Sequence, residues 1–519
     1  MTRLWPVLLA LALPAVATDV EIVDTVEVAE TFNTAATVPR TCKLLAAALP
    51  NQVSFPNTAS YDLYNAYWST RQENQHPACF VAPRKTDDVS KAIKILTLFN
   101  TPFAVRAGGH TPFEGGSNTA NGVTITLAHL NMVEVSADRK TVSVGSGNRW
   151  VNVSSVLDPM GLAVVGGRAA TVGVGGLELG GGISYFTGRY GWACDNVRRY
   201  EVVLASGSVV TASPTENKDL YWALRGGGGT NFGVVTRFDL VSFEQGKLWA
   251  SSSIWRGEAT QTMIKRMHEL LVTGFPADHY AHSYFVMGYA AKFGGWVVLT
   301  DQYHSSHTDV ATVPAAFASW HNETEFKTIK RYTRMATVSE VAGDIAQAPG
   351  SRQTFWATSV KATDSPQLLL DIRTLFEGYV DNLRAAMNAT GGTVVPYLIY
   401  QAVSTNILKA MEVNGGNALG LKLEDGPVMI IQLTLTWDIP ALDDAVENGG
   451  KEFIDQVDAL AASRNARSKN GFIYMNYAGK TQDVLASYGK ENHERLKRVS
   501  RKYDPQGKLG KLWKGYFKV

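Results

Sequence analysis

A histidine, His110, follows two glycines in the stretch AVRAGGHTPFEGGSN (104–118), and two more glycines, Gly115 and Gly116, follow it within six residues. Glycines remove the Cβ and permit positive φ, so strings of them let backbone N–H groups crowd round an anion. Three further segments share this character: GGRAATVGVGGLELGGGISY (166–185), YGWACDNV (190–197) and LRGGGGTNFGVV (224–235). A pyrophosphate is the guest such backbone suits. Neither the phosphate loop G-x-x-x-x-G-K-[ST] nor a helix-opening G-x-G-x-x-G is present, which argues against a nucleoside triphosphatase and against the doubly wound dinucleotide fold. A second set of reactive side chains lies far downstream. Tyr474 and Tyr477, in YMNY, are candidate proton acceptors, and Gln432, Thr434 and Thr436 recur with period two in VMIIQLTLTW, as one polar face of a strand does.

The elements that must position these residues are of mixed type. Between 77 and 243, short β-branched runs such as GVTITLAHL, TVSVGSG, EVVLASGSVVTA and GVVTRFDLVSF read as strands, and TDDVSKAIKILTLFN reads as a helix with Thr86 as cap and Val89, Ile93 and Leu96 on one face. From about 244 to 470 the glycine density falls, and helices (TQTMIKRMHELLVTG, DSPQLLLDIRTLFEGYVDNLRAAM) mix with strands (GGWVVLTDQYH, GPVMIIQLTLTW), the pattern of one sheet covered by helices. A tyrosine-rich strand, GFIYMNYAG, and a basic helix, ENHERLKRVSRKYDP, close the chain. The fold class is therefore α+β. Expected boundaries are a leader at 1–17, an N-terminal segment at 18–74, a nucleotide domain at 75–246, a substrate domain at 247–469 and a C-terminal segment at 470–519.

In this order and spacing, Arg106-Ala107-Gly108-Gly109-His110-Thr111, Gly115-Gly116-Ser117, Thr171-Val172-Gly173, Gly176, Gly181-Gly182, Asp195-Asn196, Asn231 and Gly233-Val234 resemble the FAD-binding residues of the vanillyl-alcohol oxidase (PCMH-type) superfamily, and within it the berberine-bridge-enzyme-like oxidases in their fungal secreted form. YMNY and YDPQGKL resemble that branch's closing motifs. The resemblance implies a PCMH-type FAD domain of two α+β subdomains, completed by the C-terminal tail, and a substrate domain with an antiparallel sheet. It implies that His110 bonds the 8α-methyl of FAD. Many relatives add a link from a cysteine in G-x-C-x-x-V-G. Here Ala169 stands in that place within Gly167–Gly173, so no second, cysteinyl link is expected, and Cys194 is outside the motif. Val172 falls at the family's gatekeeper for O₂, Tyr474 and Tyr477 at its base, and Gln432 at a substrate-contacting position. Ile183 replaces a tyrosine found in several relatives.

The expected activity is oxidation of a small alcohol, amine or natural-product intermediate, with O₂ reduced to H₂O₂. A reducing-sugar oxidase and a redox-neutral cyclase that keeps FAD as a structural group remain open alternatives, although no ladder of aromatic and acidic residues offers sugar subsites.

Composition agrees with a small-molecule partner. The 519 residues are 45% apolar and 18% charged with a net charge of +2, which gives no bias toward nucleic acid. The basic residues of the last helix and tail read as a solvated face. MTRLWPVLLALALPAVATDV carries one arginine, an apolar stretch too short to span a bilayer, and Ala15-Val16-Ala17, a signal-peptidase pattern, so a secreted or secretory-lumen protein without a membrane span is expected. Asn152, Asn322 and Asn388 begin glycosylation sequons, and Cys42 is expected to pair with Cys79. Three cysteines make no metal cluster, and no metal is expected.

Overall fold

The computed structural model describes residues 34–519 except 291–292 and 346–347, and the expected leader at 1–17 lies outside the described residues. Three sheets organise the chain. The first has four strands, in the order Val53–Ser54, Cys79–Val81, Val123–Thr126, Phe103–Arg106, and its last three are mutually parallel. Helix Thr86–Leu98 makes the crossover that parallel neighbours require, burying Val89, Ile93 and Leu96 as its periodicity predicts. Thr86 does not cap it. Its hydroxyl donates instead to the Glu201 carboxylate at 2.5 Å, so it ties the helix to the next sheet. Cys42 and Cys79 are disulfide-bonded, joining helix Thr34–Ala48 to this sheet.

The second sheet is antiparallel and runs Val133–Val135, Thr141–Gly145, Val234–Glu244, Val197–Val203, Val209–Ala212, with Leu162–Val164 paired to the far end of its long strand. The third is a seven-stranded antiparallel sheet in the order Lys330–Ala336, Leu248–Arg256, Gly295–His304, Ala281–Ala290, Val394–Val403, Val428–Trp437, Arg352–Lys361. Strand periodicity divides its residues. Met429, Ile431, Leu433, Leu435 and Trp437 face helices Gln367–Thr390 and Asp443–Ser463 in one apolar core that also takes Phe285, Leu398 and Tyr400. The alternate residues of the same strands face the glycine-rich half of the molecule. Two-sided burial explains why Val428–Trp437 reads as a nearly continuous apolar run.

The terminal segment departs from its expected form. GFIYMNYAG is not a strand: Met475–Tyr477 is a single tight turn that follows another at Lys469–Gly471. Helix Lys490–Tyr503 follows, and the tail then returns to the first sheet, where Trp513 bridges Phe103 and the Phe517 carbonyl accepts from Thr230 and Asn231. No helix among the described residues is long and apolar enough to cross a membrane.

Candidate active site

Between the glycine-rich segments and the inner face of the seven-stranded sheet lies a cavity of about 450 Å³. One wall is backbone. Ala107–Thr111, Gly173, Gly175, Gly176, Gly180 and Gly228–Gly229 line it. Two of its loops touch with no side chain between them: a Cβ on Gly108 would lie 2.5 Å from the Gly173 Cα, and one on Gly173 would lie 2.3 Å from the Gly108 nitrogen. Only glycine at both positions permits this approach.

His110 stands at the end of this wall, stacked on Trp68 with ring centroids 4.0 Å apart and planes 14° from parallel. Burial, reinforced by the charge of Arg149, lowers its pKa to about 4, so the imidazole is neutral and nucleophilic at physiological pH. Its Nε2 is buried without a partner. The hydroxyls of Ser117 and Ser146, which line the same cavity, are buried and unpartnered too.

The opposite wall is made of side chains. Tyr284 and Val286, Leu299 and Asp301, Tyr397, Ile399 and Gln401, and Gln432 and Thr434 project from four neighbouring strands. Gln432 donates to the Thr434 hydroxyl at 3.0 Å, whereas Thr436 lies beyond the cavity and donates to Gln353 at 2.6 Å. Of the paired tyrosines, Tyr474 is fully buried, and its hydroxyl accepts from the Gly182 N–H at 3.1 Å and the Asn476 amide at 3.0 Å. Burial first, and then the nearby Tyr477, push its pKa well above the ordinary phenol value, so it is a neutral group that holds the glycine turn. Tyr477 packs edge-on to Tyr474 at 4.7 Å and accepts from Arg168 at 2.7 Å. Negative charge forming on the Tyr477 oxygen would meet a charge-assisted donor.

Several expected cofactor residues do not line the cavity. Arg106 turns away, donating to the Tyr64 and Ala66 carbonyls with its guanidinium over the Tyr67 ring, so it anchors the N-terminal segment. Asp195 accepts from the Trp192 N–H and the Asn417 amide, and Asn196 donates to the Tyr190 and Trp192 carbonyls, so both build a turn behind the wall. Asn231 holds the C-terminal tail. Gly115, Thr171, Gly181 and Gly182 sit one residue or more outside the lining, while Gly116, Ser117, Val172, Gly176, Gly233 and Val234 are in it. Ala169 lines the cavity; Cys194 is buried elsewhere. Trp68, Arg168, Tyr284 and Gln401 were not singled out by the sequence. Their contacts join residues far apart in the chain, and no local motif marks them.

Residues 77–213 match a family profile described as an FAD binding domain. The chain is 36% identical over 494 residues to the FAD-dependent monooxygenase tpcD of Cochliobolus heterostrophus, covering 92% of this chain and 93% of that protein. It is 33% identical to the FAD-dependent monooxygenase FUP4 of Fusarium proliferatum, with 92% and 94% covered. The chain belongs to the family of these FAD-dependent monooxygenases, and its fold is that of berberine-bridge-enzyme-like proteins. Solved structures agree on the fold. 6-Hydroxy-D-nicotine oxidase of Arthrobacter nicotinovorans superposes with a TM-score of 0.70 at 20% identity (89% and 96% covered), and the carbohydrate oxidase of Microdochium nivale with 0.68 at 20% (92% and 98%).

The cavity of this FAD-linked oxidoreductase fits the cofactor. It combines a backbone wall in which Gly108 and Gly173 leave no room for a Cβ, two orphaned serine hydroxyls and an aromatic-backed histidine, the donors and shape that suit a phosphate-bearing flavin. Ala107–Thr111, Gly116–Ser117, Ser146 and Gly173–Gly176 would hold it.

Proposed function

We propose that the protein oxidises a small, largely apolar organic molecule at a carbon bearing an O–H or N–H group, that O₂ is the final electron acceptor with H₂O₂ formed, and that His110 carries FAD covalently as its one protein linkage. The observation that carries this reading is the neutral, unpartnered His110 imidazole at the end of a glycine-lined cavity whose other wall is a reactive side-chain face. Bound FAD supplies acceptance of a hydride from the substrate carbon and return of the electron pair to O₂. Tyr477, in the phenolate form that the Arg168 donor stabilises and holds in place, takes the substrate's O–H or N–H proton and becomes a neutral phenol. Tyr474 keeps the Gly182 turn fixed, and Gln432, held by Thr434, orients the substrate. Val286, Leu299, Phe355 and Ile399 exclude water and favour an aromatic or alicyclic substrate over a sugar. Ala169, in place of the cysteine, supports a single attachment.

Secretion is supported by the leader-like residues 1–17, by the Cys42–Cys79 disulfide and by sequons whose Asn152, Asn322 and Asn388 are all exposed. The names of the fungal relatives favour a second outcome for O₂, insertion of one oxygen atom into the product. Acid precipitation tests the linkage: yellow colour stays with the wild-type pellet and passes to the supernatant in His110→Ala. Colour released from wild type would overturn it. Turnover under ¹⁸O₂ with peroxide quantified then separates the outcomes, since stoichiometric H₂O₂ and an unlabelled product are expected of the oxidase.

A further inference from the structure

The Arg168 guanidinium is the cation of the cavity's side-chain wall, and it has no carboxylate partner among the described residues. Three of its N–H groups are engaged, none with a carboxylate: His282 Nε2 at 3.0 Å, Gln401 Oε1 at 2.8 Å and Tyr477 Oη at 2.7 Å. A guanidinium has five, so two are left without a protein acceptor. Its carbon lies 5.0 Å from the Tyr284 ring centroid, and the Tyr185 hydroxyl donates to its backbone carbonyl at 2.7 Å, so the side chain is held from both ends. His282 is neutral, because burial first and then Arg168 itself drive its pKa well below the ordinary value. Asp301 lines the same cavity, but it accepts from the Tyr284 and Ser252 hydroxyls, each at 2.5 Å, and forms no ion pair with Arg168.

A half-buried guanidinium without a carboxylate partner favours an anion, and an anion delivered to such a positioned guanidinium gains both charge and hydrogen bonds. Of the groups that contact the Arg168 guanidinium, His282 and Gln401 belong to the substrate-side sheet, as does Tyr284, and the fourth is Tyr477.

We propose that Arg168 is a specificity-determining residue that binds an ionised oxygen of the substrate, making the substrate class a small aromatic or alicyclic acid with a carboxylate, acidic phenol or enol next to the carbon that is oxidised. The proposal rests on the site assigned under Proposed function. The anion docks on the two free N–H groups, and its carbon skeleton lies along Val286, Leu299 and Ile399 toward the glycine wall. Tyr477, on the third edge of the same guanidinium, is then within reach of the substrate's transferable proton.

The test titrates the purified yellow holoenzyme with two pairs of probes, benzoate against benzamide and 4-nitrophenolate against 4-nitroanisole. Binding is read both by the flavin difference spectrum and by thermal shift. Wild type is expected to bind at least one anion roughly tenfold or more tightly than its neutral counterpart. The benzoate pair reports carboxylate recognition and the nitrophenol pair phenolate recognition. Arg168→Gln is expected to abolish the preference while the colour stays with the protein. Equal binding of both members of each pair, or no anion binding at all, overturns the proposal, as does a preference that survives Arg168→Gln. If Arg168→Gln does not fold, Arg168→Lys decides: a weakened preference supports the proposal and an unchanged one overturns it. Thermal shift reports anion binding independently of the flavin, so failure of the redox reading is distinguishable from failure of the anion site.

Discussion

The two walls of the cavity are built from opposite materials. The wall around Gly108 and Gly173 is backbone, in which side chains are excluded and hydrogen-bonding groups of the main chain are brought forward. The wall around Arg168, Tyr477, Gln401 and Gln432 is side chain: Gln401 and Gln432 stand on strands whose other face is locked into an apolar core, and Arg168 and Tyr477 come from loops beside them. A backbone wall suits an invariant guest such as a pyrophosphate, because its geometry changes little when side chains are exchanged. A side-chain wall suits a variable guest, because each residue on the inner face can change without disturbing the core behind it. Under the proposed function, holding the cofactor and choosing the substrate fall to opposite walls of one cavity.

The contrast can be broken most severely on the backbone wall. Gly173→Val would force its side chain into the Gly108 backbone, and we expect a loss of about 3 kcal/mol or more of stability together with loss of yellow colour, measured by thermal unfolding and absorbance. On the side-chain wall the same fold should survive. Tyr477→Phe is expected to lower kcat by roughly 10²- to 10⁴-fold, the range for removing a general base, with a normal flavin spectrum. Tyr474→Phe, which removes an acceptor of two hydrogen bonds and no cavity base, should act chiefly on stability, by about 1 kcal/mol. Equal effects of the two substitutions on kcat would refute the division of roles between these tyrosines.

A smaller change is expected at Val172, where the two walls meet. Val172→Leu should slow reoxidation by O₂ roughly tenfold, about 1.4 kcal/mol, while turnover with an artificial acceptor is kept. The smallest effect on turnover lies behind the backbone wall. Burial raises Asp195 from 3.8 to about 7 despite its hydrogen bonds and Arg225, and burial followed by Asp195 raises Glu178 in the same direction. The folded state therefore holds protons that the unfolded chain releases. The contribution of Asp195 is fully present below about pH 4 and is lost as pH rises toward about 7, and Glu178 acts in the same direction. Asp195→Asn should flatten the fall in melting temperature between about pH 4 and 7, and an unchanged slope would show that this carboxyl does not titrate there.

How far each wall could be read in advance follows from what it is made of. The glycine segments were legible as a wall of closely approaching backbone because that requirement leaves few residue choices, and the place of His110 in the wall was legible because it sits inside one. Val89, Ile93, Leu96 and the strand at 428–437 were legible through period alone. Two readings failed for one shared reason, that a local pattern does not reveal what lies across the fold. Thr86 reads as a cap but finds Glu201, and YMNY reads as a strand but folds as a turn that brings Tyr477 to Arg168.

Sequence by itself determined the α+β class, the FAD-binding domain, the glycine-lined wall with His110 in it and the lack of a cysteine at 169. Each of these depends on residue identity within a short window, where backbone freedom or side-chain type is decisive. Only the tertiary structure decided which residue faces the cavity and what its charge meets there. Arg168 is an unremarked arginine between a glycine and an alanine until His282, Gln401 and Tyr477, drawn from three distant segments, surround it. Whether a charge is screened, paired or left waiting for a ligand depends on its neighbours in space.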